Sequence, residues 1–275
     1  MQTRKLGLAA ALAIAAAVSG GVASSASPGA TRAGTGIVTG VSTHFGMTQS
    51  NNWSGYNQGV VEKKGKTFHE VSATWVVPTA TQNRNGEAES SATWVGIGGG
   101  CLALSCLVVD QTLIQAGTEQ DVDSSGRASY WAWWEIIPAP STRVSLPVSA
   151  GQRVHVDVAE GLPEVWKITI TNQSTGGVFT KTIPYPSSHA TAEFILETPL
   201  LIGGGGAGIS AMPRLSTVVF DPGTVNKQSP QLVASEAIQL VSPAGQVLAT
   251  PSAPDGDADG FADCSFATSC GTNGS

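Results

Sequence analysis

Tyr130-Trp131-Ala132-Trp133-Trp134-Glu135 is the stretch of this sequence that says most about its fold, and it holds three of the seven tryptophans. In a β-strand, successive side chains point to opposite faces of the sheet. One face of this strand would carry side chains suited to a core: Tyr130, Ala132, Trp134 and Ile136. The other would carry two aromatic rings beside a carboxylate: Trp131, Trp133 and Glu135. The stretch therefore predicts a strand with a core face and a face that lines a groove for an extended polymer.

The same β pattern continues through most of the chain from Asn52 onward. Val71, Ala73, Trp75 and Val77 occupy alternate positions up to the stop at Pro78. Further strand candidates lie at residues 91–97, 107–115, 128–137, 154–158, 166–170, 178–183, 191–197, 215–220, 232–241 and 246–250. Gly- and Pro-containing turns separate them, and no stretch after the N-terminal segment has sustained helical periodicity. We predict an all-β fold, an antiparallel two-sheet β-sandwich formed as one domain by residues 51–275.

The N-terminus has the pattern of a secretory signal. Arg4 and Lys5 precede an apolar stretch at 6–18, and small residues follow through Ala26. Because the apolar stretch is too short to span a bilayer, we expect a signal peptide at residues 1–26 and a secreted, extracellular mature chain. Residues 27–50 are rich in Ser, Gly, Thr and Ala, and we expect a flexible leader or a short pro-segment there.

The charge of the chain limits its partners. Only 12% of the residues are charged, and loss of Arg4 and Lys5 with the signal moves the formal net charge from −6 to −8. A mildly acidic, lysine-poor surface argues against nucleic acid and anionic membranes as partners. We expect a monomer.

The four cysteines form two locally spaced pairs. In an exported chain, the simplest pairing is two local disulfides, Cys101–Cys106 and Cys264–Cys270. A zinc site is the rival interpretation, but neither pair has a histidine nearby, and export favours oxidation.

Several hydrolase signatures are absent from the sequence. There is no Gly-x-Ser-x-Gly elbow and no His-Glu-x-x-His motif, and the four histidines are isolated from one another along the chain. Any catalysis must then use carboxylates and amides. Three glutamates fall in apolar strand candidates, Glu135, Glu193 and Glu197, and such surroundings raise a carboxyl pKa as a general acid or base requires. Gln115 ends the Leu113-Ile114-Gln115 run, where a fixed amide could stabilise an oxyanion.

Six short motifs in a fixed order resemble the glutamic peptidases, the eqolisins of peptidase family G1. They are Asn52-Trp53-Ser54-Gly55-Tyr56, Ala73-Thr74-Trp75-Val76-Val77-Pro78, Trp94-Val95-Gly96-Ile97-Gly98, Leu113-Ile114-Gln115-Ala116-Gly117, Tyr130-Trp131-Ala132-Trp133-Trp134-Glu135 with Pro138, and Ala192-Glu193-Phe194-Ile195. Each motif is weak alone, but the ordered set runs from about residue 52 to about 266. The resemblance implies a β-sandwich of the concanavalin or jelly-roll kind with a catalytic Gln–Glu dyad in a concave groove.

The resemblance also assigns roles to individual residues. By motif, Gln115 and Glu193 match the catalytic glutamine and glutamate of the family. Trp133 and Glu135 match its Trp-x-Glu substrate-binding strand, and Trp94 matches the tryptophan before its Val-Gly-Ile turn. Such a dyad implies metal-independent cleavage of peptide bonds in acid, so we expect protein or peptide substrates and no cofactor.

The sequence departs from the family pattern near the groove. The family often has an acidic residue where Gly98 or Gly99 stands here, and an Asp at the position of Trp131. The loop at 98–110, which contains Cys101 and Cys106, is also longer. These differences concern contacts to substrate and the pH optimum more than the dyad.

Two other functions fit parts of the pattern. A glycoside hydrolase could use Glu135 and Glu193 as its carboxylate pair in a tryptophan-lined groove. A carbohydrate- or peptide-binding module could use the Trp131/Trp133 face without any catalysis. Separately, Asp255-Gly256-Asp257-Ala258-Asp259-Gly260 resembles the start of a calcium loop, although no Glu follows where an EF-hand has its bidentate ligand. We interpret this segment as the turn into the last strand.

Overall fold

The computed structural model describes residues 36–38, 48–59, 66–103, 105–203 and 206–272. The strands are β1 (Gly36–Val38), β2 (Gln49–Ser50), β3 (Trp53–Gln58), β4 (Glu70–Val76), β5 (Ala80–Thr81), β6 (Glu89–Gly98), β7 (Leu113–Val122), β8 (Ala128–Ile136), β9 (Thr142–Arg143), β10 (Arg153–Leu162), β11 (Val165–Asn172), β12 (Gly177–Pro184), β13 (Ala192–Glu197), β14 (Leu200–Gly203), β15 (Gly206–Ile209), β16 (Arg214–Leu215), β17 (Val218–Phe220), β18 (Gly223–Val225), β19 (Ala237–Val241), β20 (Val247–Pro251) and β21 (Phe261–Ser265). A single 3-10 turn, Ala234–Glu236, interrupts this series.

Two sheets dominate the described part of the chain. The larger has the order β17-β21-β20-β19-β3-β13-β6-β7-β8-β9, with β2 beside β19, and the smaller has the order β12-β11-β10-β4-β18. Two short sheets, β1-β14-β15 and β16-β5, complete the set. The strand pairs are antiparallel apart from the parallel contact of β2 with β19. The all-β antiparallel sandwich predicted from the sequence is therefore confirmed.

The core lies between the two sheets because each contributes one apolar face. In β4 the alternate residues Val71, Ala73 and Trp75 are buried in this core, as their spacing predicts. The larger sheet adds the opposite layer through Val95, Ile97, Ile114 and Ala116. The Trp75 indole N–H donates to Thr118 Oγ1 at 3.1 Å, which satisfies a polar group that burial would otherwise leave costly.

The two faces of β8 divide as the sequence predicts. Its core-facing side chains are Tyr130, Ala132, Trp134 and Ile136. Trp133 and Trp131 lie instead in a second apolar cluster on the other face of the larger sheet. We call this side of the sheet the tryptophan face; its buried apolar residues are Trp53, Ala92, Trp94, Leu113, Trp133 and Ile195.

Two strands begin later than the sequence predicts by five residues or more. Residues 107–112, predicted to begin a strand, belong to a loop, and β7 begins at Leu113 and continues to Val122. Leu107 and Val108 lie on the surface of this loop and are 88% and 57% exposed. Likewise the first part of the predicted strand at 232–241 is the 3-10 turn, and only Ala237–Val241 extends as β19.

The cysteines pair locally, as Cys101–Cys106 and Cys264–Cys270. The first disulfide closes the loop between β6 and β7, and the second joins Cys264 of β21 to Cys270 in the segment that follows. The segment between β20 and β21 is a turn into the last strand, as predicted. It brings the carboxylates of Asp255 and Asp259 beside that of Asp221, with oxygens within 4.8 Å of one another.

The predicted signal at 1–26 lies outside the described residues. Within the predicted leader, β1 pairs with β14, and β2 pairs with β19. None of the described residues form a helix long and apolar enough to cross a membrane.

Candidate active site

The predicted site residues come together on the tryptophan face through the register of five strands. Glu193 of β13 is paired with Asn57 of β3 on one side and with Gly96 of β6 on the other. Gly96 is paired in turn with Gln115 of β7, and Gln115 with Glu135 of β8. One cross-strand row therefore reads Asn57, Glu193, Gly96, Gln115, Glu135. We call it the polar row.

Gly96 separates the two predicted catalytic groups. Neighbouring strands lie about 4.8 Å apart, so Gln115 and Glu193 are about 9.6 Å apart at their Cα atoms. The side chains of both point to the same face, and the residue between them has none. A Cβ added at Gly96 would lie 3.0 Å from the Gln115 Cβ and 3.0 Å from the Ile114 carbonyl oxygen. The glycine thus puts no side chain in the space between the amide and the carboxyl group.

Glu193 is fully buried and held by an amide. Asn57 donates from Nδ2 to Glu193 Oε1 at 3.0 Å. The second oxygen, Oε2, has no hydrogen-bond partner among the described residues. Burial raises the pKa of Glu193 well above that of an ordinary glutamate; a hydrogen bond from Thr191 lowers it, and nearby Asp110 raises it. The carboxyl group therefore holds its proton at a higher pH than an exposed one would.

Gln115 is oriented by the next residue of the row. Its Nε2 donates to Glu135 Oε2 at 2.7 Å, and both side chains are fully buried. Glu135 therefore fixes which way the Gln115 amide points. This contact alters the role that the sequence predicts for Glu135, because its carboxylate engages the glutamine directly.

The next row along the strands is built around Trp94. This residue is paired with Ile195 of β13 and with Gly117 of β7, which is itself paired with Trp133. A Cβ at Gly117 would approach the Trp94 Cβ to 2.6 Å, so the absent side chain makes room for the indole. Trp94 and Trp133 therefore share one row of the tryptophan face, one step from the polar row.

The indole nitrogens of the two predicted substrate-binding tryptophans differ. Trp94 donates from Nε1 to Glu197 Oε2 at 2.7 Å, a bond that fixes its ring. Trp133 is 1% exposed, and its Nε1 has no partner among the described residues. Buried donors normally have an acceptor. The Trp133 N–H is therefore suited to donate to a bound carbonyl group.

The disulfide loop between β6 and β7 passes directly over Glu193. A Cβ at Gly100 would come to 1.7 Å from Asn57 Nδ2 and 2.8 Å from Glu193 Oε1, so only glycine fits there. The Gly100 N–H donates to Thr191 Oγ1 at 3.3 Å, and its carbonyl accepts from the Asp110 N–H at 2.8 Å. The Cys101–Cys106 bond begins one residue later. The longer loop noted in the sequence is thus part of the wall around the carboxyl group.

Further acids lie on the same face. Glu119 is paired with Ala92 and Trp131 in a third row and is buried. Burial raises its pKa well above the usual value, and the neighbouring Asp121 and Glu197 raise it further. With the pKa of both Glu119 and Glu193 raised, this face carries less negative charge than its composition suggests.

Sequence reasoning missed Asn57 and the proximity of two histidines. Asn57 lies two residues beyond Gly55, so period-two spacing from Trp53 places it on the tryptophan face, and that signal was available. His69 and His189 are far apart in sequence, yet their rings approach to 4.5 Å on the opposite, smaller-sheet side of the molecule. No pattern in the sequence signals that contact.

Comparison with known families and structures places the fold. The model of the Peptidase A4 family matches residues 51–258. Scytalido-glutamic peptidase, solved with a transition state analog inhibitor, superposes with a TM-score of 0.61 and 22% identity, over 78% of this chain and 98% of that chain. SCP-B, a member of the eqolisin family solved with the tripeptide Ala-Ile-His, gives 0.59 and 21%, over 78% and 98%. Aspergilloglutamic peptidase from Aspergillus niger gives 0.51 and 22%, over 64% and 99%.

A search of curated protein sequences gives no significant match. The structural likeness is at low identity and supports the sandwich fold, whereas the family match rests on the sequence itself.

Proposed function

This chain belongs to the Peptidase A4 family, and from that membership we propose that it is a secreted acid endopeptidase that uses Gln115 and Glu193 as its catalytic dyad. The membership makes it a glutamic peptidase and gives it peptide or protein substrates. The catalytic dyad, the acid pH optimum and export from the cell go beyond that membership and are what we propose. Export rests on the signal-like N-terminus together with the two disulfides.

The polar row is the observation that carries the dyad. Glu193 and Gln115 project from the same face two strands apart, and Gly96 puts no side chain in the space between them. A water and the carbonyl carbon of an extended peptide need such a space, with a carboxyl group on one side and an amide donor on the other. The other carboxyl groups of strands β7, β8 and β13 lack a facing amide across a glycine.

The reaction follows from the chemistry of these two groups. The ionised Glu193 removes a proton from the water as the water oxygen bonds to the peptide carbonyl carbon. The Gln115 amide N–H donates to the oxyanion that forms. Collapse of the tetrahedral intermediate breaks the C–N bond, and Glu193 returns the proton to the leaving amine. Each atom is accounted for without a metal or a covalent intermediate.

The raised pKa of Glu193 suits this double role. A general base that later acts as an acid works best when its pKa lies near the working pH, because both protonation states are then accessible. Burial moves the pKa of Glu193 upward, which favours the protonated form that the second step needs. The Asn57 N–H, which donates to Oε1, keeps the ionised form accessible.

The neighbouring residues are assigned to substrate binding and orientation. The Trp133 N–H is available to a substrate carbonyl, and the Trp94 ring, fixed by Glu197, forms the adjoining surface. Glu135 contacts Gln115, so we assign it to orienting the amide as well as to the substrate wall.

The two rival functions are not favoured. Glu135 and Glu193 are separated by two intervening strands, which puts their Cα atoms about 14 Å apart, and Glu135 already accepts from Gln115. That arrangement does not resemble a carboxyl pair facing a sugar bond. A binding module without catalysis does not need a buried glutamate of raised pKa opposite an amide.

The decisive experiment compares cleavage of a denatured protein at acid pH by the wild type, Glu193→Gln and Glu87→Gln. Glu193→Gln keeps the volume and removes the ionisable group, so cleavage should fall by at least about 10³-fold. Glu87 is exposed in a turn, and its variant should cleave as the wild type does. Substantial cleavage by a folded Glu193→Gln protein would overturn the assignment.

A further inference from the structure

Two histidines and a glutamate converge on the smaller sheet, away from the polar row. His69 immediately precedes β4, Glu160 is in β10, and His189 lies in the connection from β12 to β13. His69 Nδ1 is 2.5 Å from Glu160 Oε2, and His189 Nε2 is 3.1 Å from the same oxygen. The three donor atoms all lie within 4.8 Å of one another.

Backbone hydrogen bonds fix the three residues relative to each other. The Glu160 N–H donates to the His69 carbonyl at 2.8 Å, and the Phe68 N–H donates to the His189 carbonyl at 3.0 Å. The convergence therefore belongs to the sheet and its immediate connection. Side chains that are positioned by regular backbone in this way lose little freedom when they bind a ligand.

Each donor is also oriented by a further contact. Thr67 Oγ1 is 2.9 Å from His69 Nε2, the ring nitrogen that faces away from the glutamate. The Glu164 N–H holds Glu160 Oε1 at 2.5 Å, and the Trp166 ring stacks on His189 with centroids 5.4 Å apart. Outer contacts of this kind orient the histidine and carboxylate ligands of protein metal sites.

The cluster is open to ions from solvent. The His69 side chain is 50% exposed, whereas those of His189 and Glu160 are 17% and 10% exposed. A surface cavity of about 440 Å³, lined in part by Leu162 and Pro163, adjoins all three residues. It offers room for a water as a fourth ligand, the coordination that a three-ligand zinc site leaves open.

We propose that His69, Glu160 and His189 form a binding site for Zn²⁺ or a similar divalent transition metal. Two imidazole nitrogens and one carboxylate oxygen are the donor set that zinc accepts, with bonds of about 2.0–2.2 Å. Tetrahedral ligands at that length lie about 3.3 Å apart. The two nitrogen–oxygen distances need to lengthen by less than about 1 Å from their present values of 2.5 and 3.1 Å.

The test measures Zn²⁺ binding to the full chain near pH 7.5, where imidazoles are neutral, by isothermal titration after removal of metals with a chelator. The wild type should bind one equivalent and melt at a higher temperature with Zn²⁺ than without. His69→Ala and His189→Ala should each weaken binding at least about 100-fold, and Thr67→Val about 10-fold.

Two control variants locate the ion. His155→Ala removes a histidine of β10 that is hydrogen-bonded to Thr74 and lies outside the cluster. This variant should bind Zn²⁺ as the wild type does. Asp255→Asn breaks the acidic group near the last strand and should also leave Zn²⁺ binding intact. Circular dichroism in chelator checks that each variant is folded, and His69→Asn replaces His69→Ala should the latter unfold.

Absence of Zn²⁺ binding by the wild type would overturn the proposal, and so would unchanged binding by folded His69 and His189 variants. Because the readout is binding and melting, it does not depend on peptidase activity. Failure of this proposal is therefore distinguishable from failure of the proposed dyad.

Discussion

Gln115 and Glu193 lie in one cross-strand row, two strands apart, with Gly96 as the residue between them. The arrangement is a product of register. Because side chains alternate along a strand, a one-residue slip of β6, β7 or β13 would turn one of these positions toward the core. The spacing of the dyad thus depends on how three strands pair.

Gly96→Ala tests whether the open position matters. The new Cβ would lie 3.0 Å from the Gln115 Cβ, the Ile114 carbonyl and the Leu113 Cδ1, so small shifts are needed at a cost of about 1–3 kcal/mol. We expect a folded protein whose kcat is at least about tenfold lower, because a methyl group fills the space for the water and alters the approach of the carbonyl.

The matched control is Gly161→Ala in β10. A Cβ there meets only the Val165 carbonyl oxygen, at 3.9 Å, so this variant should keep both stability and activity. Equal activity of the two alanine variants would show that the gap at Gly96 has no catalytic importance.

Asn57→Ala should reveal the amide that holds Glu193. It removes the donor to Oε1, and a hydrogen bond to a charged group contributes about 1.5–3 kcal/mol. We therefore expect kcat to fall about 10–100-fold and the acid limb of the pH–kcat profile to move to higher pH, because the ionised carboxyl loses a donor. The measurement is kcat across pH.

Asn172→Ala is the corresponding control. This fully buried amide of β11, in the smaller sheet, donates hydrogen bonds to the Pro147 carbonyl and to Gln152 Oε1. Its loss should lower the melting temperature without moving the pH profile. An unshifted profile in Asn57→Ala would remove this residue from the positioning of the dyad.

Gln115→Ala should lower kcat about 10²–10³-fold, the usual cost of one oxyanion donor. If Glu135 acts by orienting Gln115, Glu135→Ala should reduce kcat more than it raises KM. The double variant should then resemble Gln115→Ala alone, because both changes remove one function. A purely additive double variant would instead assign Glu135 to separate substrate contacts.

Buried carboxyl groups predict a protein that is more stable in acid than at neutral pH. Burial raises the pKa of Asp157 and Asp259 to about 6 and that of Asp263 to about 8. Their unfolded pKa is near 4, so between the two values the folded state binds more protons than the unfolded one. The free energy of unfolding should therefore fall as pH rises from about 4 to about 8.

Chemical denaturation followed by tryptophan fluorescence at several pH values checks this expectation. Asp263→Asn should flatten the upper part of the decline, because it removes a buried acid with a pKa of about 8, which accepts from Ser54. His155, whose pKa burial lowers, acts in the opposite sense below about 6.5. Stability that increases from pH 5 to pH 8 would contradict the prediction.

The sequence predicted the parts of the site that follow from alternation within a strand. The two faces of the Tyr130-Trp131-Ala132-Trp133-Trp134-Glu135 stretch divide in the structure as their spacing requires. The candidate residues Gln115 and Glu193 fall on the same face for the same reason. Period-two patterning needs no knowledge of the neighbouring strand.

Cross-strand relationships could not be predicted in this way. The place of Gly96 between the dyad and the contact of Asn57 with Glu193 depend on the pairing of β3, β13, β6 and β7. Trp131, where the sequence departs from the family pattern, contacts a residue of another strand: the guanidinium of Arg143 in β9 lies 5.0 Å from its ring centroid. The apolar run Leu107-Val108-Val109 misled the strand prediction because hydrophobicity alone does not reveal whether a segment has a strand partner.

The position of β6 between β7 and β13 also determines when, during folding, the active site can first form. On the proposed mechanism the carboxyl group and the amide become partners only after a third strand has inserted between theirs, and Glu193 is synthesised long after Gln115. A nascent or unfolded chain has both residues and no active site. Export of the chain before folding would therefore spare the producing cell from digestion by its own product.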